Sequence, residues 1–150
     1  MPAETMPAEI RPALLSDVPD VFRVRTSVRE NHLSIEQLAQ MGITEEAVAE
    51  MIAASACAWV AVVDDEVVGF SMIDVDDASL FAAFVLPAFE GRGLGKKLVL
   101  AAEAELFRHH GEIWLETGRD TRAAGFYRAL GWGNGEDIGN VDIRLTKRRS

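Results

Sequence analysis

A chain of 150 residues, 49% apolar and 26% charged, has the size and composition of one globular domain with a single core. Its formal charge of −9 argues against sequence-independent nucleic-acid binding, which needs a basic face. This much apolar content excludes a disordered chain.

Met1 to Ile10 carries Pro2, Glu4, Pro7 and Glu9 and lacks the basic start and apolar middle of a signal peptide. Residues 1–8 are expected to form a loose tail before a single domain over 9–150. Glu9 to Ala13 reads as a short strand. Ser16 and Asp17 can cap a helix that tolerates Pro19 in its first turn, with Val18, Phe22, Val24 and Val28 on its apolar face up to about Glu30. Asn31-His32-Leu33 breaks that pattern. Ser34 with Gln37 resembles a capping box for a short helix that Gly42 stops, and Thr44 opens another.

The period then changes. Ala58 to Val63 and Val67 to Val75 are strand-like runs joined by Asp64-Asp65-Glu66, and Ser79 to Leu86 is a third. Cys57, the only cysteine, precludes an internal disulfide and reads as a small core residue. Leu94, Leu98, Ala101, Ala102 and Leu106 recur at helical spacing up to Gly111. Glu112 to Glu116 is a short strand, and Ala123, Phe126, Tyr127 and Leu130 form the face of a helix that Gly131 ends. Val141 to Thr146 alternates as a last strand. The fold class is therefore α/β, a mixed sheet in which an antiparallel meander is followed by β-α-β-α-β. Its long helix should cross between two parallel strands. No apolar run approaches the roughly 18 residues of a membrane span, so a soluble, cytoplasmic protein without a membrane partner is expected.

The sharpest local feature is Pro87-Ala88-Phe89-Glu90-Gly91-Arg92-Gly93-Leu94-Gly95-Lys96-Lys97. It follows a strand and opens the longest helix. Glycines at every second position let backbone approach a ligand without a Cβ in the way. The first helical amides are unpaired and sit at the positive end of the dipole. With Arg92, Lys96 and Lys97 they make an anion site suited to a phosphate or pyrophosphate. A Walker A loop is excluded, because three residues rather than four separate Gly91 from Gly95-Lys96 and Lys97 replaces the required hydroxyl. The dinucleotide fingerprint also fails, since the spacing is Gly-x-Gly-x-Gly and lies late in the chain.

Phe84-Val85-Leu86-Pro87, Glu90-Gly91-Arg92-Gly93-Leu94-Gly95 and Ala123-Ala124-Gly125-Phe126-Tyr127-Arg128-Ala129-Leu130-Gly131-Trp132 together resemble the GCN5-related N-acetyltransferases. The resemblance implies that Phe84, Val85 and Leu86 pair with pantetheine, and that Gly91, Arg92, Gly93, Leu94, Gly95 and Lys96 hold the pyrophosphate of acetyl-CoA, a cosubstrate. It implies no metal, and His109-His110 suggests none. Glu90 stands where the family usually has Gln or Arg, so its side chain should face solvent or pair with a neighbouring base. Asp120 replaces a common Asn and can cap the last helix, and Trp132 replaces the common Phe as a core residue.

Acyl transfer from a thioester needs a stabilised carbonyl oxygen, a neutral amine and a protonated leaving group. The resemblance assigns the first to the N–H of Val85 or Leu86. Tyr127, the only tyrosine, is the expected general acid. Glu116 is the first choice for base or ammonium anchor, with structural pairing to Arg119 or Arg122 as the alternative. Asp74, Asp76 and Asp77 read as a solvated turn. The acceptor, a small-molecule or peptide amine, is expected against the first helices, where Arg25, Arg29 and Asn31 lie. Arginines four apart could hold a carboxylate. A non-catalytic acyl-CoA sensor on the same fold and a nucleotide-binding domain are the competing readings. Homodimers are usual among similar proteins.

Overall fold

The computed structural model describes residues 8–28, 33–139 and 141–149. Its first strand, β1 (Ala8–Pro12), pairs antiparallel with β2 (Ala58–Val63), and three helices lie between them in the chain: α1 (Val18–Arg25), α2 (Ile35–Gln40) and α3 (Glu45–Ala54). β3 (Glu66–Asp74) and β4 (Ser79–Val85) complete the antiparallel meander. Asp64 and Asp65 turn the first hairpin with φ of 53° and 65°, the left-handed geometry that matches strand twist. The long helix α4 (Leu94–His109) crosses to β5 (Glu112–Gly118), parallel to β4 as expected. α5 (Arg122–Ala129), β6 (Gly133–Asp137) and β7 (Asp142–Arg148) follow, giving the sheet order β1-β2-β3-β4-β5-β7-β6.

Several local expectations need correction. Ala8 belongs to β1, opposite Val63, rather than to a loose tail. β6 adds a strand to the expected β-α-β-α-β ending. Its Gly-Asn-Gly-Glu-Asp sequence has no apolar alternation because this edge strand buries neither face. α1 stops at Arg25 because the hydroxyls of Thr26 and Ser27 donate to the carbonyls of Phe22 and Arg23 at 2.8 and 2.6 Å. Asp17 does not cap α1. Its carboxylate turns back to accept from the Leu14 amide and from Arg11, both at 2.7 Å, and the Arg11 bond holds its pKa below the usual value. Thr121, not Asp120, caps α5 by accepting from the Ala124 amide at 3.2 Å. The Ser34–Gln37 box and the Thr44 cap form as read.

Two bulges set which residues face which way. Val68 is skipped in the β2–β3 register and Phe81 in the β3–β4 register. On one face Phe70 and Phe84 stack at 5.7 Å toward α1. On the other, α4 lies close to β3, where the buried Ser71 hydroxyl donates to the Leu98 carbonyl at 3.0 Å. A Cβ on Gly69 would stand 3.1 Å from Leu98 Cδ1 and 3.0 Å from the Phe84 carbonyl, so only glycine lets the helix settle at this depth. Leu94, Leu98, Val99, Ala102 and Leu106 bury the inner stripe of α4. Among the described residues no helix is long and apolar enough to cross a membrane.

The C-terminal elements are fastened to α4 by a buried polar cluster. Glu103 accepts from Lys147 Nζ at 2.7 Å and from Trp132 Nε1 at 2.9 Å, while Lys147 also donates to the Leu130 carbonyl at 2.7 Å. The Glu103 carboxylate is 6% exposed and Lys147 20%, so removing the cation strands a buried charge. Lys147→Met should lower unfolding free energy by about 3 kcal/mol in chemical denaturation. A change within the scatter of a surface substitution would show that the cluster does not hold these elements together.

Candidate active site

β4 and β5 pair at a single register, Ser79 opposite Trp114, and part beyond it. The ladder with β3 then decides which β4 amides face the gap. Leu86 N–H donates to the Val68 carbonyl at 2.8 Å, and Gly69 lies opposite Val85. By antiparallel alternation the N–H and C=O of Ala83 and Val85 point away from β3, toward β5. Of the two amides expected to stabilise a thioester oxygen, Leu86 is therefore occupied and Val85 turns into the gap.

The glycine loop stands at the same end. After a 3-10 turn at Pro87–Phe89 the chain passes through Gly91 and Gly93, whose φ values of 81° and 80° are left-handed. Gly93 is the N-cap of α4 and offers no side chain. The helices α2, α3 and α5 each have a Ser or Thr cap (Ser34, Thr44 and Thr121); the longest helix has none. Its first internal bond runs from the Lys97 amide to the Gly93 carbonyl at 3.2 Å, which leaves the amides of Leu94, Gly95 and Lys96 without a helical partner. Leu94's side chain is buried with Ala61, Val63, Val68 and Leu98, so it anchors the loop. Arg92 lies over the Phe89 ring at 5.0 Å, and Arg92, Lys96 and Lys97 are exposed. Glu90 turns outward and meets Arg122 at 3.5 Å, the arrangement its charge required.

Gly95 joins this loop to the tyrosine motif. A Cβ there would lie 3.5 Å from the Phe126 ring and 3.9 Å from Val85 Cγ2, so α4, α5 and β4 converge on one side of the sheet. Tyr127 is 9% exposed and sits between Phe126 and Trp132, with ring centroids at 5.2 and 6.0 Å. Its hydroxyl has no hydrogen-bond partner among the described residues. Burial pushes its pKa up to about 12.

Glu116 lies elsewhere than Tyr127. Leu115 faces the helices and is buried, so its neighbour Glu116 projects from the opposite face of β5. There Glu116 accepts from Arg144 Nη2 at 2.7 Å across the β5–β7 ladder, and Arg144 lies over the Trp114 ring at 4.3 Å. The partner is thus Arg144 rather than Arg119 or Arg122; Arg119 pairs with Asp137 at 2.8 Å. Arg144 was missed from sequence because its relation to Glu116 depends on a register that alternation alone does not give. Arg25 lies over Phe84 at 4.3 Å on that same face, its pKa lowered by burial. Arg29 and Asn31 lie outside the described residues. No group of three or more His, Cys, Asp or Glu among the described residues is arranged to hold a metal.

A model of the acetyltransferase (GNAT) family matches residues 21–132. Similar solved structures include the PaiA N-acetyltransferase of Thermoplasma acidophilum in complex with coenzyme A, 22% identical with TM-score 0.78 over 96% of this chain and 100% of that one. The ribosomal-protein-S18-alanine N-acetyltransferase of Escherichia coli is 20% identical with TM-score 0.70, over 95% and 94% of the two chains. Arabidopsis thaliana Naa50, in complex with the bisubstrate analogue CoA-Ac-MVNAL, is 16% identical with TM-score 0.69, over 95% and 99%. At these identities the likeness is one of fold. No curated protein sequence matches significantly.

Because the chain has one tyrosine, its phenol can be titrated directly by tyrosinate absorbance. The folded protein should show a midpoint near 12, and stability should fall between about pH 10 and 12, where the unfolded chain has lost the proton and the folded one keeps it. A midpoint near 10 in the folded protein would contradict the burial of this hydroxyl.

Proposed function

Because the chain belongs to the GNAT acetyltransferase family, we propose that it transfers the acetyl group of acetyl-CoA to a primary amine of a small molecule or peptide. The amine attacks the thioester directly. The observation that carries this reading is the coincidence, at one end of the sheet, of the β4–β5 gap and the uncapped start of α4.

The amides from Gly91 to Lys96, with Arg92 and Lys96, bind the pyrophosphate of acetyl-CoA; the glycines let the oxygens reach the amides and the helix dipole favours their charge. The outward groups of Ala83 and Val85 pair with the pantetheine arm, as a strand would. The Val85 N–H lies where the thioester oxygen gains charge and donates to it. Nitrogen bonds to the carbonyl carbon, the tetrahedral intermediate collapses, and the C–S bond breaks.

Tyr127 acts on the departing sulfur. Its pKa of about 12 lies roughly three and a half units above that of an ordinary thiol, near 8.5. Complete proton transfer to the thiolate is therefore uphill by roughly 5 kcal/mol in the ground state. The phenol instead donates a hydrogen bond that shares the sulfur's developing charge, and the thiolate takes its proton from the amine or from solvent. Glu116 faces the acceptor from the other side of β5, held in orientation by Arg144, and anchors the ammonium before attack. Arg25 contributes to the acceptor wall.

Tyr127→Phe should lower kcat by about 100-fold, the low end for losing one hydrogen-bond donor to developing charge, with little change in coenzyme A affinity. Gly93→Val forces a β-branched residue to a left-handed φ of 80° and closes the approach to the loop. Calorimetry should show coenzyme A affinity reduced by at least tenfold, in line with strain of about 1–3 kcal/mol. Release of coenzyme A thiol from acetyl-CoA with a panel of amines tests the activity itself. Binding of coenzyme A without turnover of any amine would replace the enzyme reading with that of a sensor.

A further inference from the structure

A cavity of about 460 Å³ lies between α1, α2 and α3 and the strands β3 and β4, well within the range of small-molecule sites. Phe70, Met72 and Phe84 form its sheet wall, and Phe22, Leu38 and Met51 face them from the helices. Arg25 is the one ionisable side chain among the described residues lining it. The wall residue Phe84 directly precedes Val85, whose amide faces the β4–β5 gap, so the cavity adjoins the gap on the face opposite α4. Phe81, pushed out by the β4 bulge and 48% exposed, stands at the same strand and also lines the cavity.

This lining selects by charge. A second ammonium placed in the cavity would lose its hydration and, among the described lining residues, would meet a guanidinium and no acid. An apolar side chain loses only unfavourable contact with water. Glu116, the carboxylate assigned to the acceptor, already accepts from Arg144 at 2.7 Å, so an acceptor that needs little deprotonation is favoured. An α-amine, with a pKa of about 7.7–8.0, is roughly half neutral at pH 8; a lysine-type amine near ~10.4 is neutral in well under ~1% of molecules.

We propose that the acceptor is the α-amine of a residue with a bulky apolar side chain, and that this side chain occupies the cavity between α1–α3 and β3–β4. The proposal rests on the acetyl-transfer reading above. The neutral α-nitrogen forms the new C–N bond, the thioester C–S bond breaks, coenzyme A leaves as thiolate, and the ammonium proton passes to solvent or to that thiolate. An amino-acid amide and a peptide N-terminus share this chemistry.

The test follows thiol release from acetyl-CoA at pH 8 with L-leucinamide, L-methioninamide, glycinamide and Nα-acetyl-L-lysinamide. The first two should exceed the last two in kcat/KM by at least about 30-fold, the scale on which an apolar pocket discriminates. The kcat/KM profile for leucinamide should level off near pH 8 and not near 10. Ala47→Trp narrows the cavity from α3. It should cut leucinamide kcat/KM at least tenfold, with coenzyme A binding by calorimetry confirming that the variant is folded. If it does not fold, the panel and the pH profile of the unaltered protein decide. Leucinamide against a leucyl peptide then separates the small-molecule source from the peptide one. Equal or better use of the lysine derivative or glycinamide would overturn the proposal while leaving acetyl transfer intact. So would a tenfold preference for octanoyl-CoA over acetyl-CoA with no effect of the amine's side chain, because the cavity would then hold the acyl chain. Turnover of none of the amines despite coenzyme A binding would defeat both readings.

Discussion

Two neighbouring parallel strands that bond at one register and then separate govern this molecule. Backbone N–H and C=O groups inside a sheet are normally consumed by the adjoining strand. Where β5 leaves β4, the groups of Ala83 and Val85 are turned toward a strand that is no longer there. The end of the gap is met by the start of α4, whose amides also lack partners and whose cap residue has no side chain to supply one. A ligand that is an anion at one end and a hydrogen-bonding chain along its length satisfies both sets of groups together. An acidic protein of net charge −9 can hold such an anion because the local field comes from oriented amides and three nearby cations, not from the total charge.

The sheet also separates the two halves of the proposed chemistry. Tyr127 and the glycine loop lie on the α4–α5 side, and Phe126 against Gly95 locks those helices to one another. Glu116, Arg144, Arg25 and the apolar cavity lie on the other side. In the proposed reaction, nucleophile and leaving group arrive from opposite directions and meet only in the gap. The low-lying α4, admitted by Gly69 and held by Ser71, and the Glu103–Lys147–Trp132 cluster keep the gap's walls in register.

Much of this could be read from residues alone, where a short-range rule operates. The glycine spacing, the Ser34 and Thr44 caps and the outward turn of Glu90 follow from local chemistry, and the Phe126-Tyr127 motif from its resemblance to a family's. What escaped sequence reasoning depends on partners far along the chain. Which of the Val85 and Leu86 amides turns toward the gap is a question of ladder phase, and it is Leu86 that bonds to Val68. Glu116's engagement with Arg144 needs the β5–β7 register. β6 buries neither face, so nothing in its sequence imposes a period. The cavity is formed by three helices whose packing on β3 and β4 no single segment specifies. Capping of α5 by Thr121 instead of Asp120 shows a local rule giving the right kind of residue one position out.

The central claim is that a single ligand completes the backbone groups of the split strand and the uncapped helix at once. Amide hydrogen exchange, with and without saturating coenzyme A, examines those groups one by one. The account predicts slowed exchange at Val85 and across Gly91 to Lys96 in the complex, with α1 to α3 unchanged. Slowing confined to α1–α3, or none at Val85 and the glycine loop while coenzyme A is bound, would contradict it.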